Sequence, residues 1–150
     1  MTTSPGTGTH AQAIAERQLC GLVNGLAQRI TEHVRERATA LGITAPQATA
    51  LREMSGPMTM RELAERMSCE PSNTTFVVDK LEKQGLVERH PHPTDRRAKH
   101  LVLTAEGTAL RTRLLELLAV DSPLSGLTPQ EQRVLHGLLD QAIATGGASG

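Results

Sequence analysis

The sequence contains no tryptophan, no tyrosine and a single phenylalanine among its 150 residues. A ligand pocket in this chain therefore has almost no aromatic side chains with which to form its walls. The sequence also lacks an apolar run of the roughly 20 residues that cross a bilayer, and its first ten residues lack the cationic and apolar segments of a signal peptide. We therefore expect a soluble, cytoplasmic protein without a membrane partner.

An excess of charge of one sign is absent too, because 16 lysines and arginines balance 16 aspartates and glutamates. The total charge therefore says nothing about nucleic acid, and a basic surface that binds it can only be local. The length suits one compact domain over residues 1–150 with a real core.

The two cysteines, Cys20 and Cys69, match neither a zinc-binding pattern nor a CxxC motif, which in a cytoplasmic chain favours free thiols over a disulfide. Cys69 lies just before a predicted helix N-terminus, where a thiolate is favoured. Both cysteines are therefore candidate redox residues. The alternatives are that Cys69 is a small buried residue in a turn and that Cys20 packs on the apolar side of its helix.

Apolar residues at steps of three and four predict a long first helix over residues 11–41, after a disordered tail of residues 1–10. Gly21 and Gly25 lie inside this helix, where each costs about 1 kcal/mol relative to alanine. That cost is tolerable if two backbones approach closely there. Gly42 ends the helix, and Thr44 followed by Pro46 predicts the start of the second.

Two short helices joined by a tight turn follow, an arrangement that predicts a helix-turn-helix. Thr59 and Glu62 have the spacing of a capping box at the start of the third helix, and Pro71 and Gly85 mark the start and the end of the fourth. The apolar face of the fourth helix comprises Thr74, Val77, Val78 and Leu81.

A hairpin with a cationic loop comes next, since LVERH and KHLVLT are typical of two strands. The loop carries Arg89, Arg96, Arg97 and Lys99 against one acid, Asp95, so four cations and one acid leave a local charge of three positive. Such a projecting loop can reach DNA phosphates or place a guanidinium in a narrow minor groove, while the outer face of the fourth helix can enter the major groove. The order of elements predicts a winged helix; the alternative for the loop is a solvated hairpin turn.

The run MRELAERMSCEPSNTTFVVDKLEKQGLVERHPHPTDRRAKHLVLTAEG resembles the DNA-binding core of the MarR family of bacterial winged helix-turn-helix transcription regulators. The resemblance includes the Asp-x-Arg motif at Asp95 to Arg97 and the upstream LGITAPQATAL. It implies a mainly α fold with a small β-hairpin wing (α+β). The winged helix-turn-helix would span residues 44–104, with dimerisation helices at residues 11–41 and 105–145 and a disordered tail at residues 146–150.

The resemblance implies a repressor that binds an inverted-repeat operator in double-stranded DNA as a homodimer and is released by a small ligand or by oxidation. It makes Arg97 the minor-groove arginine and Asp95 its orienting partner. Phe76, where many relatives carry a small or basic residue, either contacts a thymine methyl or folds back into the core. The full predicted DNA-binding set is Ser72, Asn73, Thr75, Phe76, Lys80, Arg96, Arg97 and Lys99.

The C-terminal third supports a dimer without the resemblance. A leucine stripe over residues 110–118 precedes a second capping-box pattern, Thr128 to Glu131, and a helix with five more large apolar residues. This is more apolar surface than a small winged core can cover, so we expect two chains to bury it together.

The alternative function is a metal-dependent enzyme built on His90, His92 and His100 with Asp95, or a winged helix that binds proteins instead of DNA. For these histidines we favour a polar loop over the functional interpretations, which are a metal site or a pH-sensitive switch. The sequence has no glycine-rich phosphate loop and no nucleophile, base or paired-carboxylate motif. We therefore expect a protein that is not an enzyme and that needs no cofactor or metal.

Overall fold

A computed structural model describes residues 5–147 of the chain. Within these residues the chain forms six helices and one antiparallel two-stranded hairpin, which confirms the predicted mainly α fold with a small β-hairpin. No helix of this part of the chain is both long and apolar enough to cross a bilayer. The elements in order are α1 (Pro5–Ala40), α2 (Ala45–Glu53), α3 (Met60–Met67), α4 (Pro71–Lys83), β1 (Val87–Pro91), β2 (Lys99–Leu103), α5 (Ala105–Ala119) and α6 (Pro129–Gly147).

The chain divides into two compact units, the first ending at Val120 and the second beginning at Asp121. The first unit contains α1 to α5 and both strands, and the second contains α6. The single domain over residues 1–150 and the dimer-forming role of the flanking helices stay predictions.

Both terminal helices are longer than expected. α1 begins at Pro5, so a disordered tail over residues 5–10 is wrong, while residues 1–4 lie outside the described residues. Pro5 is tolerated at the helix start because the N–H that it lacks has no intrahelical partner in the first turn. α6 continues two residues past the predicted end at residue 145, and the remainder of that predicted tail, residues 148–150, is likewise not described.

Four threonines cap helix N-termini within residues 5–147, as their positions in the sequence indicate: Thr44, Thr59, Thr104 and Thr128. The Thr44 hydroxyl accepts the N–H of Gln47 at 3.3 Å, and the Gln47 side chain accepts the N–H of Thr44 at 3.0 Å. At α3 only one half of the expected box forms, in which Thr59 accepts the N–H of Glu62 at 3.2 Å. Reciprocal bonds therefore stabilise the start of α2, which was expected to have only a single threonine cap.

The core of the first unit draws on helices α1 to α5 and both strands. Its fully buried side chains include Leu51 of α2, Leu81 of α4, Leu101 of β2 and Leu114 of α5. The buried side of α4 consists of Thr74, Val77, Val78 and Leu81, as the sequence pattern predicts. One side of α4 is therefore buried in the core, and the opposite side is exposed to solvent.

Arginines tie the helices of the first unit together through helix C-terminal carbonyls. Arg37 of α1 donates to the carbonyl oxygens of Leu117 at 2.9 Å and Val120 at 2.8 Å. Arg111 of α5 donates to the carbonyl oxygen of Leu51 at 2.9 Å. These bonds satisfy backbone acceptors that a helix end leaves without an intrahelical partner.

The hairpin pairs β1 with β2 in a register that runs from Val87 opposite Leu103 to Pro91 opposite Lys99. Pro91 ends the pairing because it has no N–H to donate. A third short segment joins this sheet through an isolated bridge between Met58 and Leu101, with N···O distances of 3.3 and 2.7 Å. The sequence did not predict this bridge, since Ser55 to Pro57 indicate only the end of the second helix.

The start of α5 packs tightly against the turn between α4 and β1. The Thr104 hydroxyl donates to the Gly85 carbonyl at 2.7 Å, and the Thr104 N–H donates to the Leu86 carbonyl at 3.0 Å. A Cβ atom at Gly107 would overlap that Leu86 carbonyl. Glycine at position 107 therefore sets how closely α5 approaches the hairpin.

Candidate nucleic-acid interface

The exposed side of α4 follows from the helical repeat. At 3.6 residues per turn, positions 72, 76, 80 and 83 lie close together, nearly opposite the buried set of Thr74, Val77, Val78 and Leu81. Position 73 borders this group, and all five side chains are exposed. α4 therefore presents one continuous face that has no role in the core.

The polar residues at the start of α4 differ in what they offer a partner. Ser72 and Asn73 are exposed in the first turn. Thr75 is half-buried, and its hydroxyl donates to the Pro71 carbonyl at 2.9 Å. Thr75 can therefore accept a hydrogen bond from a partner, but its own proton is already engaged.

Phe76 points outward at the middle of this face. Of the two positions open to it in the sequence, the structure selects the outer one, because the residue is 62% exposed. The ammonium of Lys80 lies 4.5 Å from the ring centroid, a cation–π contact one helical turn along α4.

Arg89 does not add to the positive charge of the wing loop, so that expectation is wrong. Its guanidinium forms an ion pair with Asp79, and its Nε lies 2.9 Å from an oxygen of Glu82 without hydrogen-bond geometry. Both acids lie on one flank of α4, and Arg89 is on β1. The pairs join the wing to α4 and neutralise the acidic side chains beside its exposed face.

The turn between the strands is shaped by Asp95 through the backbone. Its carboxylate accepts the N–H of Arg97 at 3.0 Å, and its carbonyl accepts the N–H of Ala98 at 3.3 Å. The sequence places Asp95 as the orienting partner of Arg97. The contact that the structure shows is to the Arg97 backbone, which fixes where the side chain starts and leaves the guanidinium free of the carboxylate.

His92 organises the same turn, which sequence reasoning missed. Its Nδ1 accepts the N–H of Thr94 at 3.1 Å and the N–H of Asp95 at 3.0 Å. Its ring lies against that of His100, with centroids 4.3 Å apart. An Nδ1 that accepts two N–H groups carries no proton, so this imidazole serves the loop as a turn-forming acceptor. Residues 5–147 contain no group of three histidine, cysteine or acidic side chains arranged to hold a metal ion.

Three cations of the wing remain available to a partner. Arg96, Arg97 and Lys99 are exposed, and the described part of the chain provides no acidic partner for any of them. A cleft between the start of α3 and the wing brings Arg97 and Lys99 beside Arg61, which the sequence did not single out. Arg61 itself has only an exposed contact of 3.6 Å with Glu65.

The comparisons with known proteins agree with this arrangement. The model of the MarR family matches residues 43–99, which run from just before α2 to the first residue of β2. Wild-type MarR from E. coli in its apo form superposes with a TM-score of 0.66 at 29% identity, over 83% of this chain and 95% of that chain. A MarR mutant from E. coli complexed with operator DNA superposes with the same TM-score at 28% identity, over 83% of this chain and 93% of that chain. Over residues 43–99 the chain is therefore similar to the MarR family.

Two curated relatives from Bacillus subtilis, strain 168, show how far the likeness extends. The uncharacterized HTH-type transcriptional regulator YkoM is 33% identical over 89 residues, which are 58% of this chain and 58% of that protein. The HTH-type transcriptional repressor MdtR is 34% identical over 87 residues, 57% of this chain and 56% of that protein. The matched segment thus spans less than two thirds of the length of either relative.

Both cysteines of the chain are free and exposed. The expectation that Cys69 is buried in the turn is wrong. Ser68 adopts a left-handed backbone conformation with a φ of 53°, and the Cys69 N–H then bonds to the Ala64 carbonyl at 3.1 Å. This geometry ends α3 and leaves the Cys69 side chain in solvent. Cys20 is exposed on α1 and does not pack within the chain.

Proposed function

We propose that this protein is a sequence-specific regulator of transcription that binds double-stranded DNA, acting as a repressor on an inverted-repeat operator. One observation carries the proposal: a helix face with no role in the core lies on the same unit as a rigid turn with three unpaired cations. A helix face of this kind fits the major groove, and a cationic turn fits the backbone or the minor groove.

The exposed face of α4 supplies the groups that would contact base edges. Asn73 can pair with adenine through two hydrogen bonds, and Ser72 can bond to a base or a phosphate. Lys80 carries a charge suited to a phosphate. Since Arg89 already neutralises Asp79 and Glu82, the approach of a polyanion to this face meets little repulsion from α4.

The wing supplies a second set of DNA contacts, beside those made by α4. Asp95 and His92 hold the turn through backbone N–H groups, so the Arg97 side chain starts from a fixed point. A guanidinium held in this way gains from the enhanced negative potential of a narrow minor groove. Arg96 and Lys99 would contact phosphates on either side.

A homodimer follows from apolar surface that the chain leaves open. α1 exposes Ile14, Leu19, Leu22 and Val23, and α6 exposes Val134, Leu138, Leu139 and Ile143. Among residues 5–147, no atom outside the helix lies within 4 Å of a Cβ position built on Gly21 or Gly25, so neither glycine serves a close approach within this part of the chain. A second copy that buries these residues would place two recognition helices on one duplex and make the operator an inverted repeat.

Release of the operator by a small ligand or by oxidation is the third part of the proposal. Cys20 and Cys69 are accessible to an oxidant because both are exposed. The two curated relatives are named as an HTH-type transcriptional regulator and an HTH-type transcriptional repressor. The proposed activity needs no catalytic group, cofactor or metal.

The test is a selection of bound duplexes from a random DNA pool, carried out with the natural protein and with Arg97→Ala and Arg113→Ala at matched salt. Arg113 is an exposed arginine of α5 outside the wing and serves as the control. We expect an inverted repeat to be enriched by the natural and control proteins and to be lost or degraded with Arg97→Ala. If the natural protein recovers all duplexes of the pool equally well, with none enriched, the proposal is wrong.

A further inference from the structure

The single aromatic ring of the chain is displayed outward. Phe76 is the one phenylalanine in a sequence without tryptophan or tyrosine. Between residues 44 and 104, all of which the structure describes, it is also the only large hydrophobic side chain that is exposed. The core of the winged helix is thus built without its one aromatic residue, which lies instead on the surface assigned to DNA.

The position of Phe76 is central on that surface. The buried residues of α4 lie nearly opposite to it, while Ser72 and Lys80 lie one turn before and one turn after it on the same side. A helix that enters the major groove brings the middle of its outer face closest to the base edges. The phenyl ring therefore faces bases, and the charged groups at the margin face phosphates.

Lys80 fixes the environment of the ring. Its ammonium lies over one ring face, 4.5 Å from the centroid, which favours a ring that stands beside the lysine over one that rotates freely. The residue remains 62% exposed, so much of the ring is open to a partner. With Asp79 and Glu82 engaged by Arg89, the charge nearest the ring is positive, which suits an apolar group that must approach a polyanion.

The chemistry of the major groove limits what a phenyl ring can recognise there. Guanine, adenine and cytosine present polar donors and acceptors on their edges, whereas thymine also presents a C5-methyl group. A phenyl ring neither donates nor accepts a strong hydrogen bond, so contact with a polar edge leaves that edge without a partner. Contact with a methyl group removes two apolar surfaces from water at once.

We propose that Phe76 is a specificity-determining residue that reads the C5-methyl group of a pyrimidine at one fixed position in each half-site. The inference rests on the proposed DNA-binding function and deepens it. It requires thymine at that position of the operator. It also predicts that 5-methylcytosine, which carries the same methyl group, is bound more tightly there than cytosine.

The test uses the operator found by selection and replaces each thymine in turn by deoxyuridine, which removes only the methyl group. Substitution is made symmetrically in both half-sites. We expect one thymine position at which the natural protein loses about fourfold in affinity per half-site, about sixteenfold in total, as burial of one methyl-sized group gives. The other thymine positions act as internal controls.

A second arm separates the methyl group from the rest of the base. At the same position, a duplex with cytosine and a duplex with 5-methylcytosine are compared. We expect 5-methylcytosine to restore about fourfold per half-site relative to cytosine. Because both duplexes have the same hydrogen-bonding edges, this difference isolates the methyl contact.

Three variants assign the contact to a side chain. Phe76→Ala is expected to bind the thymine and uracil duplexes equally, and Phe76→Leu to retain part of the preference because it keeps an apolar group. Lys80→Gln is expected to weaken binding to both duplexes by the same factor, since it removes a charge and leaves the ring. Phe76 is exposed, so these changes leave the core intact.

The outcomes that overturn the inference are distinct from failure of the proposed function. An enriched operator in which no thymine responds to uracil would show that the ring reads no methyl group. An unchanged preference for thymine in Phe76→Ala would assign the methyl contact to another side chain. A selection that enriches no duplex at all would instead contradict DNA binding itself.

Discussion

The winged core of residues 44–104 buries its large apolar side chains, whereas the N-terminal half of α1 exposes them. In the core, Leu51, Leu63 and Leu81 are completely buried, and the outer surface is polar apart from Phe76, with unpaired cations on the wing. In α1, Leu19 is 60% and Leu22 is 72% exposed. The core is therefore complete within one chain and suited to a charged partner, whereas this part of α1 needs an apolar partner to cover it.

The largest expected effect comes from adding one methyl group at Gly107, where α5 packs against the winged core, compared with adding one at Gly21 of α1. Gly107→Ala places a Cβ atom against the Leu86 carbonyl, so we expect a loss of stability of roughly 1–3 kcal/mol or more from the forced separation of α5 and the hairpin. The added methyl group of Gly21→Ala contacts nothing within the described part of the chain, and it favours the helix by about 1 kcal/mol. Thermal unfolding of the two variants checks this difference.

The same pair of variants also probes the proposed dimer. If two α1 backbones approach at Gly21, the added methyl group weakens association even though it favours the helix. Unchanged stability in Gly107→Ala would contradict the packing of α5 on the hairpin.

The next effect concerns the exposed leucines of α1. Leu22→Glu introduces a charge on a residue that is 72% exposed, so the fold of a single chain is expected to be retained. In a dimer that buries this residue, the charge is expected to weaken association by about 2 kcal/mol, or roughly 30-fold. Sedimentation over a range of concentrations measures the change, with Glu16→Gln as an exposed control on the same helix. If Leu22→Glu dimerises as tightly as the natural protein, the N-terminal half of α1 is not part of the interface.

Two variants on the DNA-facing surface are expected to differ in kind. Asn73→Ala removes a base-reading side chain and should cost about 1–3 kcal/mol on the preferred sequence and little on others. Lys99→Ala removes a phosphate contact and should weaken all duplexes alike, with the salt slope reduced by about 1. Titrations of both variants at several salt concentrations distinguish them. An equal loss on every sequence for Asn73→Ala would contradict its assignment as a reader.

A smaller effect is expected where the wing joins α4. Arg89→Gln removes the charge that pairs with Asp79 and Glu82, and because these side chains are partly exposed the loss of stability should be about 1 kcal/mol or less. Two unneutralised acids on the flank of α4 should also weaken DNA binding. Denaturant unfolding and duplex titration measure the two effects, and Arg113→Gln, at an exposed arginine of α5 outside the wing, is the control. DNA affinity equal to that of the natural protein would show that Arg89 plays no part in the electrostatics of the face.

The smallest effect concerns the start of α6. The backbone N–H of Thr128 donates to the Glu131 carboxylate at 2.9 Å, which, together with the Thr128 hydroxyl, lowers the pKa of Glu131. A lowered pKa means that the contribution of the cap to stability is full above the ordinary carboxyl value and is lost as pH falls through the folded value. The amide resonance of Thr128, followed by NMR from about pH 6 to about pH 2, should report this loss. The same titration curve in Glu131→Gln would assign the change to another group.

Sequence patterns predicted the elements whose signals are local. The buried residues of α4 recur at helical spacing, and Thr44, Thr59, Thr104 and Thr128 lie where caps are needed, so these features required no knowledge of distant contacts. The outward position of Phe76 lay beyond such patterns, because either side of its helix was open to a phenyl ring. Its exposure depends on how α4 packs on the rest of the unit.

The features that were missed depend on contacts between separate elements. Arg89 was counted with the wing because its neighbours in sequence are cationic, whereas its partners lie across the turn on α4. A signal was present, since Asp79 and Glu82 lie on the same flank of that helix. His92 and the Met58 bridge had no such signal, because a ring nitrogen that accepts two N–H groups and a one-residue bridge leave no periodic pattern.

The most direct test of the central claim, that α4 and the wing together bind a specific DNA sequence, is a competition titration at about 0.15 M salt. The selected duplex competes with a scrambled duplex of the same composition for the natural protein. The account predicts a preference of about a thousandfold or more for the selected duplex, as specific protein–DNA complexes show. Equal affinity for the two duplexes would contradict it.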